Sequence, residues 1–283
     1  MQPFERLRYL ARWGSDEDGA LVAESADCLA GFDDDPAGLV VACRRLLHHH
    51  PDVGALWWLC SRVLCAPEPA EAAIAAWDLL HNDNTAARIA ASLPFPHDPP
   101  VAVLGWPEVT AEALSTRPDL DVIAIRRRGA ADRLLAARLR RTEATVRVVS
   151  DVEAAALEPT HVLVEVSAIS PAGGALVPAG ATAVIDGIGS RAELWLVAPV
   201  GRLLPDRLFS AMQRALEGTR AGDTKTTTTG AFDDPPDQPH DVLEAIGLGR
   251  VARVAGPTGL VTVDALARRL DCPTAPELLH PTG

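Results

Sequence analysis

Two stretches combine residue types that could do chemistry. The first is IAIRRRGAADRLLAARLRR, in which Arg126, Arg127 and Arg128 follow an apolar run and precede Gly129 and a helical pattern. Guanidinium forks at a strand end beside a helix N-terminus bind phosphate bidentately, and the helix dipole adds attraction, so Arg126 and Arg128 are candidate anion ligands. The continuing Arg133, Arg138, Arg140 and Arg141 also suit a solvated basic helix face. The second stretch is THVLVEVSAISPAGGALVPAG, Thr160 to Gly180. It reads as a buried strand, a turn containing Ser170, Pro171, Gly173 and Gly174, and the start of a helix. Backbone N–H groups at Gly173 and Gly174 would then face a ligand's anion, because ligands of open α/β sheets sit outside the carboxyl ends of strands.

Other clusters point to structure rather than chemistry. His48, His49 and His50 are consecutive, and neighbours on a helix point about 100° apart, so they do not converge on one ion. A C-terminal helical turn ended by Pro51, with His favouring the dipole, accounts for them. Cys28, Cys43, Cys60, Cys65 and Cys272 have neither zinc spacing nor a disulfide framework and read as buried reduced thiols. Trp57, Trp58 and Trp77 read as core anchors, with a ligand stack or an interface as alternatives. Ser167 and Ser170 lack a nucleophile elbow. The DGIGS run at Gly187 and Gly189 is too short for a dinucleotide fingerprint. Asp186 reads as a helix-end cap, or as an acid if the helix turns it toward a cleft. Asp241 is a polar residue too isolated to assign. Lys225 is the only lysine and no GxxxxGK[ST] occurs, so Schiff-base and Walker-type phosphate chemistry have no carrier. No cofactor and no metal are expected.

The elements that would position these residues follow from apolar periodicity. Up to about Leu93 the pattern is helical: short helices at Phe4 to Ala11 and Leu21 to Leu29, and one opened by the Asp33–Asp35 cap with Pro36 and running to Leu47. An unusually apolar helix with Leu56, Trp57, Leu59, Cys60, Val63 and Leu64 follows, then Pro69 to Leu80 and Ala86 to Leu93. PFPHDPP, Pro94 to Pro100, reads as a linker. Strands and helices then alternate. Strands are expected at Val101–Leu104, Val122–Ile125, Val146–Val149, Val162–Val166 and Leu194–Ala198. Helices are expected at Val109–Leu114, Ala130–Arg140, Asp151–Leu157, Ala181–Ile188 and Pro205–Leu216. Five such strands predict a doubly wound, mostly parallel Rossmann-like sheet. Residues 218–239, rich in Thr, Asp, Gly and Pro, read as a flexible insertion. The tail from His240 adds a strand near Val254 and Leu260–Val263 and a short helix at Ala265–Leu270. The expected organisation is a helical domain at 1–93, a linker at 94–100 and an α/β domain at 101–283.

Length and charge bound the partners. The 283 residues, 48% hydrophobic and 23% charged, can bury a sizeable core. A net charge of -12 argues against general nucleic-acid binding. The absence of a long apolar run and of a signal-peptide core predicts a cytoplasmic chain without a membrane partner.

The run VLVEVSAISPAGGALVPAGATAV resembles the signature of the initiation-factor-2B alpha/beta/delta subunits and their enzyme relatives, methylthioribose-1-phosphate and ribose-1,5-bisphosphate isomerases. That signature is roughly V-x-V-G-A-D-A-hydrophobic-x-P-x-G, then a hydrophobic pair, Asn, Lys, any residue and Gly. Val162, Val164, Ala168, Ile169, Pro171, Gly173, Ala175, Leu176 and Gly180 match its framework. The catalytic Asp of the family falls on Ser167, its Asn on Val177 and its Lys on Pro178. Its catalytic Cys, which follows the first strand, has no counterpart in Gly105, Trp106, Pro107 and Glu108. The resemblance implies a helical N-terminal domain before the α/β domain, a homodimer, and an arginine loop that holds a sugar phosphate. With the catalytic residues replaced, the expected function is a non-catalytic, diverged member that binds a phosphorylated small molecule, a sugar phosphate or nucleotide, in sensing or assembly. Its ligand residues would be Arg126, Arg128, Ser167, Gly173 and Gly174. An active aldose-phosphate isomerase using Ser167 or Asp186 is the alternative. A structural partner subunit without ligand, using its Trp-rich helices as an interface, is the second.

Overall fold

The computed structural model describes residues 3–10, 18–32, 34–93, 100–127, 135, 138–222 and 242–280. Arg128, Asp33, Lys225, Asp241, nearly all of the expected 130–140 helix, most of the 94–100 linker and the insertion from 223 onward lie outside these residues. In chain order come helices α1 (Pro3–Leu10), α2 (Asp18–Ala30), α3 (Pro36–His49), α4 (Gly54–Cys65), α5 (Pro69–His81) and α6 (Thr85–Ser92). Strand β1 (Val101–Leu104), α7 (Glu108–Ser115), β2 (Val122–Ile125), β3 (Val146–Val149), α8 (Asp151–Ala156) and β4 (His161–Glu165) follow. Then come β5 (Ala168–Ser170), β6 (Gly174–Pro178), α9 (Ala181–Ile188), β7 (Glu193–Val197), α10 (Asp206–Gly222), β8 (Leu243–Ile246), β9 (Val251–Gly256) and β10 (Gly259–Val261).

The described residues group into two compact units. One draws on 1–82, 201–241 and 270–283, the other on 83–200 and 242–269. This division differs from a boundary at residue 93. The reason for α6 is plain: Ala86 and Ile89 bury in the same core as Val101, Val103 and Trp195. In the helical unit, Asp35 accepts from Gly38 N–H at 2.8 Å and Pro36 fixes the first turn of α3, as the sequence predicts. That helix runs past Leu47 to His49, and His50 follows as its cap. Helix α4 is buried nearly all round, because Leu56, Trp57, Trp58, Leu59 and Cys60 face packed neighbours on every side. The buried Ser61 hydroxyl ties α4 to the chain end, donating to Pro273 O at 2.7 Å and accepting from Ala275 N–H at 2.9 Å. Helix α10 continues beyond Leu216 to Gly222, five residues into the stretch expected as an insertion, and Thr219 Oγ1 donates to Ala215 O within it.

The α/β unit carries a seven-stranded sheet in the order β10-β9-β7-β4-β1-β2-β3. All neighbours are parallel except the β9–β10 edge pair. Strands β1 and β2 are buried at every position, the condition of a sheet covered on both faces. Strands β9 and β10 join the five alternating strands where the tail strand near Val254 and Leu260–Val263 is expected, as an antiparallel pair rather than one strand. A second sheet, β5-β6-β8, is antiparallel. It lies where the sequence suggests a simple turn into a helix: after β4 the chain first makes a β5–β6 hairpin, and only then enters α9. Leu248–Arg250 and Val263–Arg269 are 3-10 turns.

Candidate functional site

The chain leaves β1 toward β2 and β3, then returns to the other side of β1 for β4, β7 and β9. Its order β3-β2-β1-β4-β7-β9 therefore reverses between β1 and β4, and the crevice of a doubly wound sheet opens at the carboxyl ends of those two strands. Register brings three segments level there. Leu104 pairs with Ile125 and Val103 with Leu163, so Gly105, Arg126 and Glu165 close the three strand ends together. Gly105 N–H donates to Ile125 O at 2.8 Å. Gly105 has φ +71, and a Cβ there would stand 2.7 Å from Arg127 Cδ, so the stem of Arg127 lies directly on this turn. Arg138 Nη1 donates to Trp106 O at 2.9 Å and so also holds this loop.

Glu165 occupies the centre of this arrangement. Its Oε2 accepts from both the N–H and the hydroxyl of Thr110, each at 2.9 Å. Thr110 is fully buried in the first turn of α7, whose N-cap is Pro107 and supplies no side-chain cap. A carboxylate from the end of β4 therefore satisfies a helix N-terminus that its own N-cap leaves open, with the helix dipole favouring the charge. Two neighbouring helices are closed in the same chemical way. Glu153 Oε2 accepts from Ser150 N–H at 2.8 Å in a capping box on α8, and Glu244 Oε1 accepts from Thr182 N–H at 2.6 Å on α9. The hydrogen bonds from Ser150 hold the Glu153 carboxyl below the usual carboxylate range, and the charge of Arg126 contributes in the same direction.

The sequence-nominated residues are distributed as follows. Arg126 is exposed at the end of β2, and its N–H continues the pairing with β3 through Val149 O at 2.9 Å. Arg127, within the nominated run but not singled out, is the arginine laid over the β1 turn. Arg128 lies outside the described residues. Ser167 stands at the base of the hairpin, where its N–H donates to Leu176 O at 2.9 Å. Gly173 and Gly174 sit at the opposite end of that hairpin. They form a β-turn rather than a helix N-terminus: Gly173 N–H donates to Ser170 Oγ at 3.2 Å and Gly174 pairs with Ser170. Gly174 has φ +94, and a Cβ there would lie 2.5 Å from Ile246 O, so its glycine serves the close approach of β8. The turn 171–174 and residues 245–248 line an open groove of about 410 Å³ that contains no ionisable side chain. Asp186 is an exposed residue of α9 paired to Arg250 Nη1 at 3.0 Å, while Arg250 Nη2 donates to Ile185 O and Gly189 O at that helix's end. The cap of this helix end is Arg250, an arginine that sequence reasoning did not single out, and Asp186 is its ion-pair partner rather than the cap. Glu165 was also missed. Its one signal is that it stands where the resembled pattern has Gly.

The remaining clusters are structural. Trp57 and Trp58 are buried, and Trp57 Nε1 donates to Pro51 O, whereas Trp77 is 40% exposed and stacks on His81. His50 Nε2 lies 2.8 Å from Leu10 O in the core. Burial pushes the Cys28 thiol up to about 11, Cys272 to about 12 and Cys43 well above its ordinary value. Among the described residues no group of three His, Cys, Asp or Glu could hold a metal, and no helix is long and apolar enough to cross a membrane.

No family model and no curated protein sequence matches this chain. Solved structures do match. Translation initiation factor eIF-2B from Pyrococcus horikoshii OT3 is 14% identical with a TM-score of 0.67, over 92% of this chain and 96% of that one. A chain of the tetrameric eIF2B-beta2-delta2 complex from C. thermophilum is 13% identical with a TM-score of 0.64, over 94% and 93%. The 5-methylthioribose 1-phosphate isomerase of Pyrococcus horikoshii OT3 is 14% identical with a TM-score of 0.57, over 95% and 87%. The fold built here from a helical unit and a 3-2-1-4 doubly wound sheet is the fold of the eIF2B subunits and of 5-methylthioribose 1-phosphate isomerase, as the signature stretch of the sequence implies.

Proposed function

We propose that this chain is a diverged, non-catalytic relative of the eIF2B-type proteins that binds a phosphorylated small molecule, a sugar phosphate or nucleotide, in the crevice at β1, β2 and β4, and acts by sensing or assembly. The observation that carries the binding is the arginine pair at the end of β2: Arg126 exposed, and Arg127 laid across the Gly105 turn at the strand-order reversal. The absence of turnover rests on the signature's polar positions. The Asp position is Ser167, and the Asn and Lys positions are Val177 and Pro178, which pair with Glu244 and Leu243 of β8, with the Val177 side chain fully buried. Those two positions build a sheet and offer no acid, base or charge.

A thermal-shift series with ribose 5-phosphate and AMP tests this reading. A ligand at 100 times its Kd raises stability by about 2.7 kcal/mol. The expected result is a saturable shift lost in both Arg126→Ala/Arg127→Ala and Arg126→Ala/Arg128→Ala, with no isomerase turnover. A shift that survives both double variants refutes the arginine assignment. Turnover lost on Ser167→Ala would establish the isomerase alternative instead. The partner-subunit reading is favoured by one observation, the outer face of α5, where Ile74 is 58% and Trp77 40% exposed. Concentration-dependent sedimentation abolished by Trp77→Ser, without any ligand shift, would establish it.

A further inference from the structure

We infer that Glu165 is a built-in occupant of the anion position at the β1/β4 crevice, and that it restricts the ligand to one anionic group, borne at the arginine loop, with a neutral hydroxylated remainder toward β4. This rests on the crevice reading proposed above.

In doubly wound sheets a ligand's phosphate sits on a helix N-terminus at the strand-order reversal. The helix that follows β1 is α7, and two donors of its first turn are already committed: Thr110 N–H and Thr110 Oγ1 both donate to Glu165 Oε2 at 2.9 Å. A second phosphate entering here would have to displace the carboxylate from two charge-assisted hydrogen bonds and then lie beside it as a like charge. The resembled signature has Gly at this position, which brings no side chain and leaves such a helix end open. Glu165 thus converts a crevice with two places for negative charge, one at the arginine loop and one at α7, into a crevice with one. The cappings by Glu153 and Glu244 leave no substitute at α8 or α9. The ligand class this selects is a monophosphate with a polyhydroxyl body. Bisphosphates and polyphosphates are selected against.

The test compares the full-length wild type with Glu165→Gly and Glu165→Gln by calorimetric titration. Inorganic phosphate, ribose 5-phosphate and ribose 1,5-bisphosphate serve as probes, with the melting transition of each variant recorded. Gln retains an oxygen that accepts from Thr110 but carries no charge, so it reports on charge alone even if Gly at this position prevents folding. The expected result is a gain of about tenfold or more in affinity for inorganic phosphate in Glu165→Gly, with a smaller gain in Glu165→Gln. The wild-type preference for the monophosphate over the bisphosphate should narrow in both variants. Phosphate and bisphosphate affinities unchanged in both folded variants would overturn the inference. If the wild type binds ribose 5-phosphate but neither variant gains, the inference falls and the crevice reading stands. If the wild type binds no sugar phosphate while the variants gain inorganic phosphate, the crevice reading falls and the role of Glu165 stands.

Discussion

Replacing Gly174 by Ala separates a ligand role of the Pro171–Gly174 turn from an architectural one. At φ +94 a Cβ costs roughly 1–2 kcal/mol through its contact with the following carbonyl. The added carbon would also stand 2.5 Å from Ile246 O, a backbone atom that cannot swing aside. Relief therefore requires β6 and β8 to move apart where Ala175 pairs with Ile246, and loss or lengthening of one ladder hydrogen bond costs about 0.5–1.5 kcal/mol more. The sum is about 2–3 kcal/mol, or a fall of about 1 M in the urea midpoint for a slope of 2–3 kcal/mol/M. Gly173 is the internal control. It is exposed and has no positive φ, so Gly173→Ala should stay within about 0.5 kcal/mol. Urea denaturation of the ligand-free protein, followed by fluorescence, reads both variants. Were these glycines present to offer N–H groups to a ligand, both substitutions would be silent without it. A Gly174→Ala midpoint equal to wild type, or a Gly173→Ala loss as large as that of Gly174→Ala, would refute the reasoning.

Three further outcomes follow from particular contacts. Ser61→Ala removes the partner of both Pro273 O and Ala275 N–H in a buried setting and should cost about 2–3 kcal/mol in the same urea assay, with the chain end 270–280 becoming protease-sensitive. Of the five cysteines only Cys65 is exposed, so a native thiol titration at pH 8 with a disulfide reagent should count one reactive group, and five after denaturation. The burial that lifts Cys28 to about 11 and Cys272 to about 12 keeps those thiols protonated at that pH. For Glu153 the folded pKa lies below the ordinary 4.5, so its contribution is present above 4.5 and lost as pH falls through the depressed value. The stability difference between wild type and Glu153→Ala should accordingly be constant at neutral pH and vanish in acid. A difference that persists there would place the effect in helix propensity instead.

The parts of the fold legible in the sequence are those whose signal is local. Strands β1, β2 and β3 and helix α9 carry their own periodicity and begin and end where it does, and Asp35 with Pro36 announces α3 within four residues. The β5–β6 hairpin is different. Its strands of three and five residues straddle Pro171, Ala172 and Gly173, and the partner that completes its sheet, β8, lies beyond the insertion, so no window of sequence contains the interaction that stabilises it. Arg250 as the cap of α9 has the same character, since it acts across 64 residues.

Glu165 shows most clearly why the site was harder to read than the scaffold. In the sequence it is one acidic residue inside an apolar strand, at a position where the resembled pattern has Gly, and in isolation a strand-end carboxylate belongs to the solvent. It acquires meaning only because α7, 55 residues earlier in the chain, begins with a proline that cannot cap it, and because the return of the chain to β4 beside β1 brings the carboxylate to that open end. A helix N-terminus is an electrostatic demand that either a ligand or a side chain can meet. In this molecule a side chain meets it, which on the proposed reading leaves the arginines of the β2 loop for a ligand's charge. Glu165→Gly therefore tests more than one residue, because it asks whether reopening that end is enough to return a second anion site to the fold.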